Sequence, residues 1–328
     1  MSQKMIRLPV WLPVTLGVAL TAALLGVASG LLPQPRWPTL ASPDTRIADA
    51  RLADQAESMM RQASQIIRNA KRQAGVTLDG GGADDPSGLI GAEMTPLVTT
   101  LGSLESKQLS TSPAWAGVLV VQLKGAGVGR GSIVTASFSG SFPALNLAVA
   151  CACRSLGARL VAVSSVTSST WGANQPGFTW PDMEARLVEA GLIASASVGV
   201  STGGEDDRAT DLEPDARVLA EQIGDRAAAT LRAVRLRPSS YAQAVASRME
   251  LFDRVAGGRR IAVYVNVGGS QASMGRSMTV LKLKSGWIAR ESFDNEPDQG
   301  VMAQMAKRGV RVLHLLNIRD LAVRWGIL

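Results

Sequence analysis

Cysteine, histidine and aromatic residues are scarce in this chain, and each shortage removes a class of chemistry. The two cysteines, Cys151 and Cys153, lie one residue apart. On a helix that spacing turns their side chains about 200° from each other, so they should not pair. They read as small buried apolar residues. With no cysteine framework, a disulfide or zinc scaffold is excluded, and either side of a membrane stays open as a location. One histidine, His314, rules out multi-histidine metal centres and most Ser-His-Asp designs that use a spare partner. Aromatic residues make up 4% of the chain and are not interleaved with basic ones. No Lys/Arg run reaches the roughly five to eight residues of a nucleic-acid patch. Nucleic acid is therefore not an expected partner. No cofactor motif and no repeat of fixed period is present.

What the chain has is apolar bulk. Of 328 residues, 46% are hydrophobic and 19% charged, which suffices for a large core. Ala, Val, Leu and Gly dominate, a composition suited to helices packed on a parallel sheet. The net charge of +7 includes Lys4 and Arg7 at the extreme N-terminus. Such a surface attracts a polyanion, whether anionic lipid or an acidic polymer; the plainer alternative is a solvated basic surface.

Residues 8–32 carry no charge, and 25 residues at 1.5 Å each can cross a hydrocarbon core of roughly 30 Å. Pro9 and Pro13 fall in the first turns, where proline is tolerated. Trp11 and Trp37 stand near the two ends, and Lys4 and Arg7 favour a cytoplasmic N-terminus. The expectation is a cytoplasmic tail (1–7), a single-pass anchor in a bacterial cytoplasmic membrane (8–32), a linker and amphipathic helix (33–90) and a domain outside the membrane (91–328). A signal peptide cleaved near Ala28-Ser29-Gly30 is the rival, although its apolar core is usually only about 7–15 residues.

After a proline-rich stretch ending at Pro43, Asp44–Ala74 has a helical pattern, as a stalk or as the first domain helix. Asp79–Gly88 is a loop. Then the pattern alternates. Helices are expected at 115–125, 143–156, 181–190, 213–235, 240–255, 297–308 and 317–325. Strands are expected at 132–138, 159–166, 196–201, 260–267 and 310–315. Short continuous apolar strands between helices indicate an α/β fold: a mainly parallel, doubly wound, Rossmann-like sheet with helices on both faces. Residues 270–296 find no place on that sheet.

In such sheets ligands bind where strands end and helices begin. Four loops fall there. Ser139-Gly140-Ser141-Phe142-Pro143-Ala144-Leu145-Asn146 offers hydroxyls and a helix N-terminus, suited to an anion or simply to capping. It is neither a nucleophile elbow nor a P-loop. Ser164–Asn174, ending in Trp171-Gly172-Ala173-Asn174, is too rich in hydroxyls for a plain connection. Gly203-Gly204 precedes Glu205, Asp206 and Asp207, which form either a weak cation site or a solvated acidic turn. Gly268-Gly269 lets a backbone approach a ligand closely. His314 lies inside an apolar strand followed by Asn317; it is a buried hydrogen-bonded residue or, more sharply, a general base. Lys107 ends a Ser/Thr-dense segment (93–107) able to fold over the strand ends, and a Ser–Lys pair is an established nucleophile arrangement.

Glu93-Met94-Thr95-Pro96, Thr99–Glu105 with Lys107, Ser139–Asn146, Trp171–Asn174, Phe178-Thr179-Trp180, Asn266–Gly269 and His314–Asn317 together resemble the poly-gamma-glutamate system protein family. The likeness covers roughly residues 90–325 and includes the membrane-anchored N-terminus. It implies an accessory role beside the membrane-bound poly-γ-glutamate synthase subunits in capsule or polymer export; it supplies no catalytic residues and no cofactor. On this reading the domain binds the polymer or the synthase complex. The alternative is a hydrolase or transferase of the polymer's amide bonds, with Ser141 as nucleophile and Lys107 or His314 as base. A third possibility is a structural subunit that contacts only proteins.

Overall fold

All six residues of Ile133–Phe138 are buried, as a strand covered on both faces requires. The computed structural model describes residues 43–78, 85–194, 196–294 and 299–328. Its helices are α1 (Pro43–Gln73), α2 (Leu104–Ser110), α3 (Ala114–Gly125), α4 (Pro143–Ser155), α5 (Trp180–Glu189), α6 (Pro214–Leu231), α7 (Tyr241–Ala256), α8 (Gln271–Met274), α9 (Val301–Lys307) and α10 (Ile318–Arg324). The strands are β1 (Val98–Thr100), β2 (Ile133–Phe138), β3 (Arg159–Ser165), β4 (Ser168–Ser169), β5 (Ser197–Ser201), β6 (Val234–Arg235), β7 (Ile261–Val267), β8 (Gly286–Ile288) and β9 (Arg311–Leu315).

Seven strands form one mixed sheet in the order β6-β5-β3-β2-β7-β9-β8. Neighbours run parallel except β8, which is antiparallel to β9. The chain builds outward from β2 through β3, β5 and β6, then crosses back to lay β7 and β9 on the other side of β2. Between β2 and β7, therefore, successive connections leave in opposite directions. Side chains alternate as strand geometry dictates. Val134, Ala136 and Phe138 join a core with α1, α3, α4 and α5, while Ile133, Val161, Val163 and Tyr264 face α7 and α9.

Local chemistry explains where the elements begin and end. Pro143 opens α4, where its missing N–H costs nothing. The Ser240 hydroxyl accepts from the Gln243 N–H and starts α7, and Gly257 ends it with a left-handed φ of 59°. The expected helix 213–235 is shorter than its pattern: Arg232 turns left-handed (φ 54°) after Leu231, and Val234–Arg235 becomes the edge strand β6. The unplaced segment 270–296 contributes α8 and β8, and β8 closes the sheet against β9. Helix α1 is a domain helix, since Ala56, Met60, Ala63 and Ile67 are fully buried in the main core. Cys151 and Cys153 are both buried, unpaired thiols on α4. The tail, anchor and proline linker (1–42), most of the glycine-rich loop (79–84) and residues 297–298 of the expected helix 297–308 lie outside the described residues. Among the described residues no helix is long and apolar enough to cross a membrane.

Candidate functional site

The reversal of strand order places the loops after β2 and β7 side by side, and a cleft of about 500 Å³ opens there. Every strand from β5 to β9 in the middle of the sheet sends its carboxyl end to it. Ser139 and Ser141 come from β2, Thr167 from β3, Gly204 from β5, Gly269 from β7 and Asn317 from β9.

The β2 loop is held rigidly. The Ser141 N–H donates to Ser139 Oγ (3.1 Å), and buried Asn146 donates from Nδ2 to the Ser139 carbonyl (2.9 Å). Asn146 thus shapes the loop from beneath and does not line the cleft. Gly140 and Gly172 are also behind the wall. A Cβ on Gly172 would lie 2.7 Å from the Gly140 carbonyl oxygen, and one on Gly140 would lie 2.7 Å from the Thr167 carbonyl oxygen. Trp171, with a left-handed φ of 63°, and Asn174 tie the same turn to the segment before β1. Asn174 accepts from the Ala92 N–H (3.1 Å) and donates to the Ala92 carbonyl (2.6 Å). A Cβ on Gly268 (φ +82°) would lie 3.0 Å from the Ser139 Cβ, so this left-handed position suits glycine, and its neighbour Gly269 lines the cleft.

Lys107 reaches the cleft from outside the sheet. Strand β1 pairs with β4 in a small parallel ladder, which lays residues 98–102 along the β3 loop. The Gly102 N–H donates to Thr170 Oγ1 (2.7 Å), and Ser103 caps α2 by accepting from the Ser106 N–H. Helix α2 then drives Lys107 inward until 3% of it remains exposed. Its Nζ lies 2.8 Å from Ser169 Oγ, donates to the Ser141 carbonyl and sits 3.8 Å from the centre of the Phe142 ring. Among the described residues no carboxylate pairs with it. Burial alone lowers its pKa from 10.5 to about 7. Ser141 Oγ accepts from the Ser169 N–H at 3.0 Å, so the two serines face one another across the cleft floor.

The three adjacent carboxylates separate. Glu205 stands exposed at the rim and accepts from Thr210 Oγ1 (2.8 Å). Asp206 pairs with Arg276 at 3.1 Å. Asp207 is buried against Arg248 and Ser201. Asp206 and Asp207 adopt left-handed φ values of 53° and 62° after the Gly203-Gly204 turn, which sends the side chains apart. Among the described residues no group of three His, Cys, Asp or Glu side chains is arranged to hold a metal. His314 does not line the cleft. It is fully buried in β9, with Asn266 Nδ2 2.8 Å from its Nδ1, and burial lowers its pKa to about 4.

Of the residues singled out by sequence, Ser139, Ser141, Gly204, Glu205, Gly269, Asn317 and Lys107 line one cleft. The sequence does not single out Ser169, because the four consecutive hydroxyl residues Thr167–Thr170 look alike; only the Lys107 contact distinguishes it. No family model matches the chain, and no match was found among curated proteins or solved structures.

Proposed function

We propose that the chain is a membrane-anchored accessory protein of poly-γ-glutamate synthesis or export, and that the cleft receives a stretch of that polymer. The carrying observation is the gathering of separate loop ends around one buried lysine, Lys107. The sheet on this reading is doubly wound and Rossmann-like, and its ligand lies at the switch point between β2 and β7. Every segment that resembles the poly-gamma-glutamate system family beyond residue 98 either lines this cleft or buttresses its wall, apart from Phe178–Trp180. Helix α4 adds the positive end of its dipole behind Ser141 and Phe142, suited to a carboxylate. Hydroxyls and backbone N–H groups suit the amide links between residues. The segment 8–32 would hold the domain close to where the membrane-bound synthase delivers the polymer.

Equilibrium dialysis of the full-length chain in non-ionic detergent against γ-linked glutamate oligomers tests this. Retention at low ionic strength that falls as salt rises supports it. Equal retention of α-linked and γ-linked oligomers, or none at low salt, contradicts it.

A further inference from the structure

An ammonium group buried without a carboxylate partner costs stability, which the Ser141 carbonyl, Ser169 Oγ and the Phe142 ring offset only in part. Lys107 is 3% exposed, and its neighbours are two hydroxyl-bearing residues and an aromatic face. A lysine so placed is best held neutral, with its lone pair free to take a proton. Nζ donates to Ser169 Oγ at 2.8 Å, and once the amine has lost its extra proton the same contact lets it accept from the Ser169 hydroxyl, which otherwise donates to the Thr170 carbonyl at 3.4 Å. The Ser141 carbonyl takes one N–H of the amine and fixes its direction.

We propose that the cleft performs acyl transfer on amide bonds, with Ser169 as the nucleophile and Lys107 as its general base. Ser141, the more obvious candidate from sequence, is not in position for that task. Lys107 meets its carbonyl and not its hydroxyl, and the Ser141 Oγ is engaged by the Ser169 N–H.

Ser169 Oγ attacks the amide carbonyl carbon while its proton passes to Lys107 Nζ. The Lys107 ammonium returns that proton to the departing nitrogen as the C–N bond breaks, leaving an ester on Ser169 and a free amine. Water, or a second amine, then attacks the ester. Lys107 takes the incoming proton, the ester C–O bond breaks, and Ser169 recovers its proton. The Phe142 ring, 3.8 Å from Nζ, shields the amine from water and favours the ammonium once it forms. Glu205 and Asp211 are the other ionisable side chains at the cleft, and they bond to Thr210 and the Glu205 backbone instead of Lys107.

This inference deepens the polymer-binding reading but is tested without the polymer. The full-length chain is treated with a fluorophosphonate probe, which transfers its phosphonyl group to an activated serine with loss of fluoride, and the modified peptide is mapped by mass spectrometry. The expected label is on Ser169. Ser169→Ala abolishes it, and Lys107→Met slows it by at least about 100-fold, the usual scale of a general base. In the wild type the labelling rate climbs with pH through about 7, where Lys107 loses its proton. Label on Ser141, no label, or a rate flat from pH 5 to 9 overturns the proposal, and the pH profile decides it even if Lys107→Met fails to fold. Oligomer retention by Ser169→Ala reports on the binding reading separately: loss of label with binding kept supports both, and loss of binding alone leaves the labelling result to stand or fall by itself.

Discussion

Gly140 and Gly172 lie back to back, with the Ala173 N–H donating to the Gly140 carbonyl at 2.8 Å. Neither glycine has a left-handed φ, so the constraint is steric and not conformational. A methyl on Gly172 would stand 2.7 Å from both the Gly140 carbonyl oxygen and Ser168 Oγ, and 3.0 Å from the Ser141 Cα. Overpacking of that kind costs about 1–3 kcal/mol. Gly172→Ala should therefore lower the unfolding free energy by that amount in urea and displace Ser141, seen as weakened oligomer retention. Gly129→Ala, with open space at its Cβ, should change stability by less than about 0.5 kcal/mol.

Arg248 and Asp207 make an ion pair whose side chains are 2% and 1% exposed, and Arg248 also donates to Ser201 Oγ at 2.8 Å. The pair fastens the Gly203-Gly204 turn to α7. Removing one partner leaves the other charge buried, at a cost of about 3–5 kcal/mol. Arg248→Met should show that loss in urea denaturation. Replacing Asp207 with Asn in the same chain should recover most of it, because the stranded charge is gone.

The lowered pKa of Lys107 links folding to pH. The unfolded chain holds the proton up to about 10.5, whereas the folded chain releases it above about 7. Between those values the unfolded state binds more protons, so stability rises with pH. Relative to Lys107→Met, the wild type should gain stability as pH climbs from 7 toward 10.5 and show no such trend below 7. Thermal melts of both proteins across that range provide the measurement, and a constant difference would mean that Lys107 stays charged.

His314 has the same sign in a lower window. Its folded pKa is about 4 against an ordinary 6.5, so the unfolded state binds more protons in that interval and stability falls on acidification. The wild type should lose stability relative to His314→Gln as pH drops from 6.5 to 4. Oligomer retention by His314→Gln at pH 7 should match the wild type, since His314 does not line the cleft.

The sheet was legible because its strands are buried on both faces and therefore spell themselves as apolar runs, as in Ile133–Phe138 and Ile261–Val267. Edge elements escaped for the opposite reason. Val234–Arg235 is two residues long and partly exposed, and it continues the helical pattern of α6. Strand β8 depends on a long-range pairing with β9 that no local pattern announces. In the cleft, glycines and serines at strand ends could be read one loop at a time. The division of labour among them could not: Asn146, Gly172 and Asn174 brace the wall, while Ser139, Ser141 and Lys107 face the interior. Lys107 found its role through β1 and β4, three and two residues long, whose pairing depends on segments about 70 residues apart.

Filling the cleft tests the central claim most directly. Gly269 lines it, has no left-handed φ, and its nearest neighbour for a new Cβ is the Met274 sulfur at 4.0 Å, so a side chain can start there without clash and extend into the cleft. Gly129 has open space at the other end of the sheet. Dialysis against γ-glutamate oligomers at low salt should show retention lost in Gly269→Trp and kept in Gly129→Trp, with both variants melting as the wild type does. Equal retention by the two would place the polymer elsewhere on the protein and contradict the account.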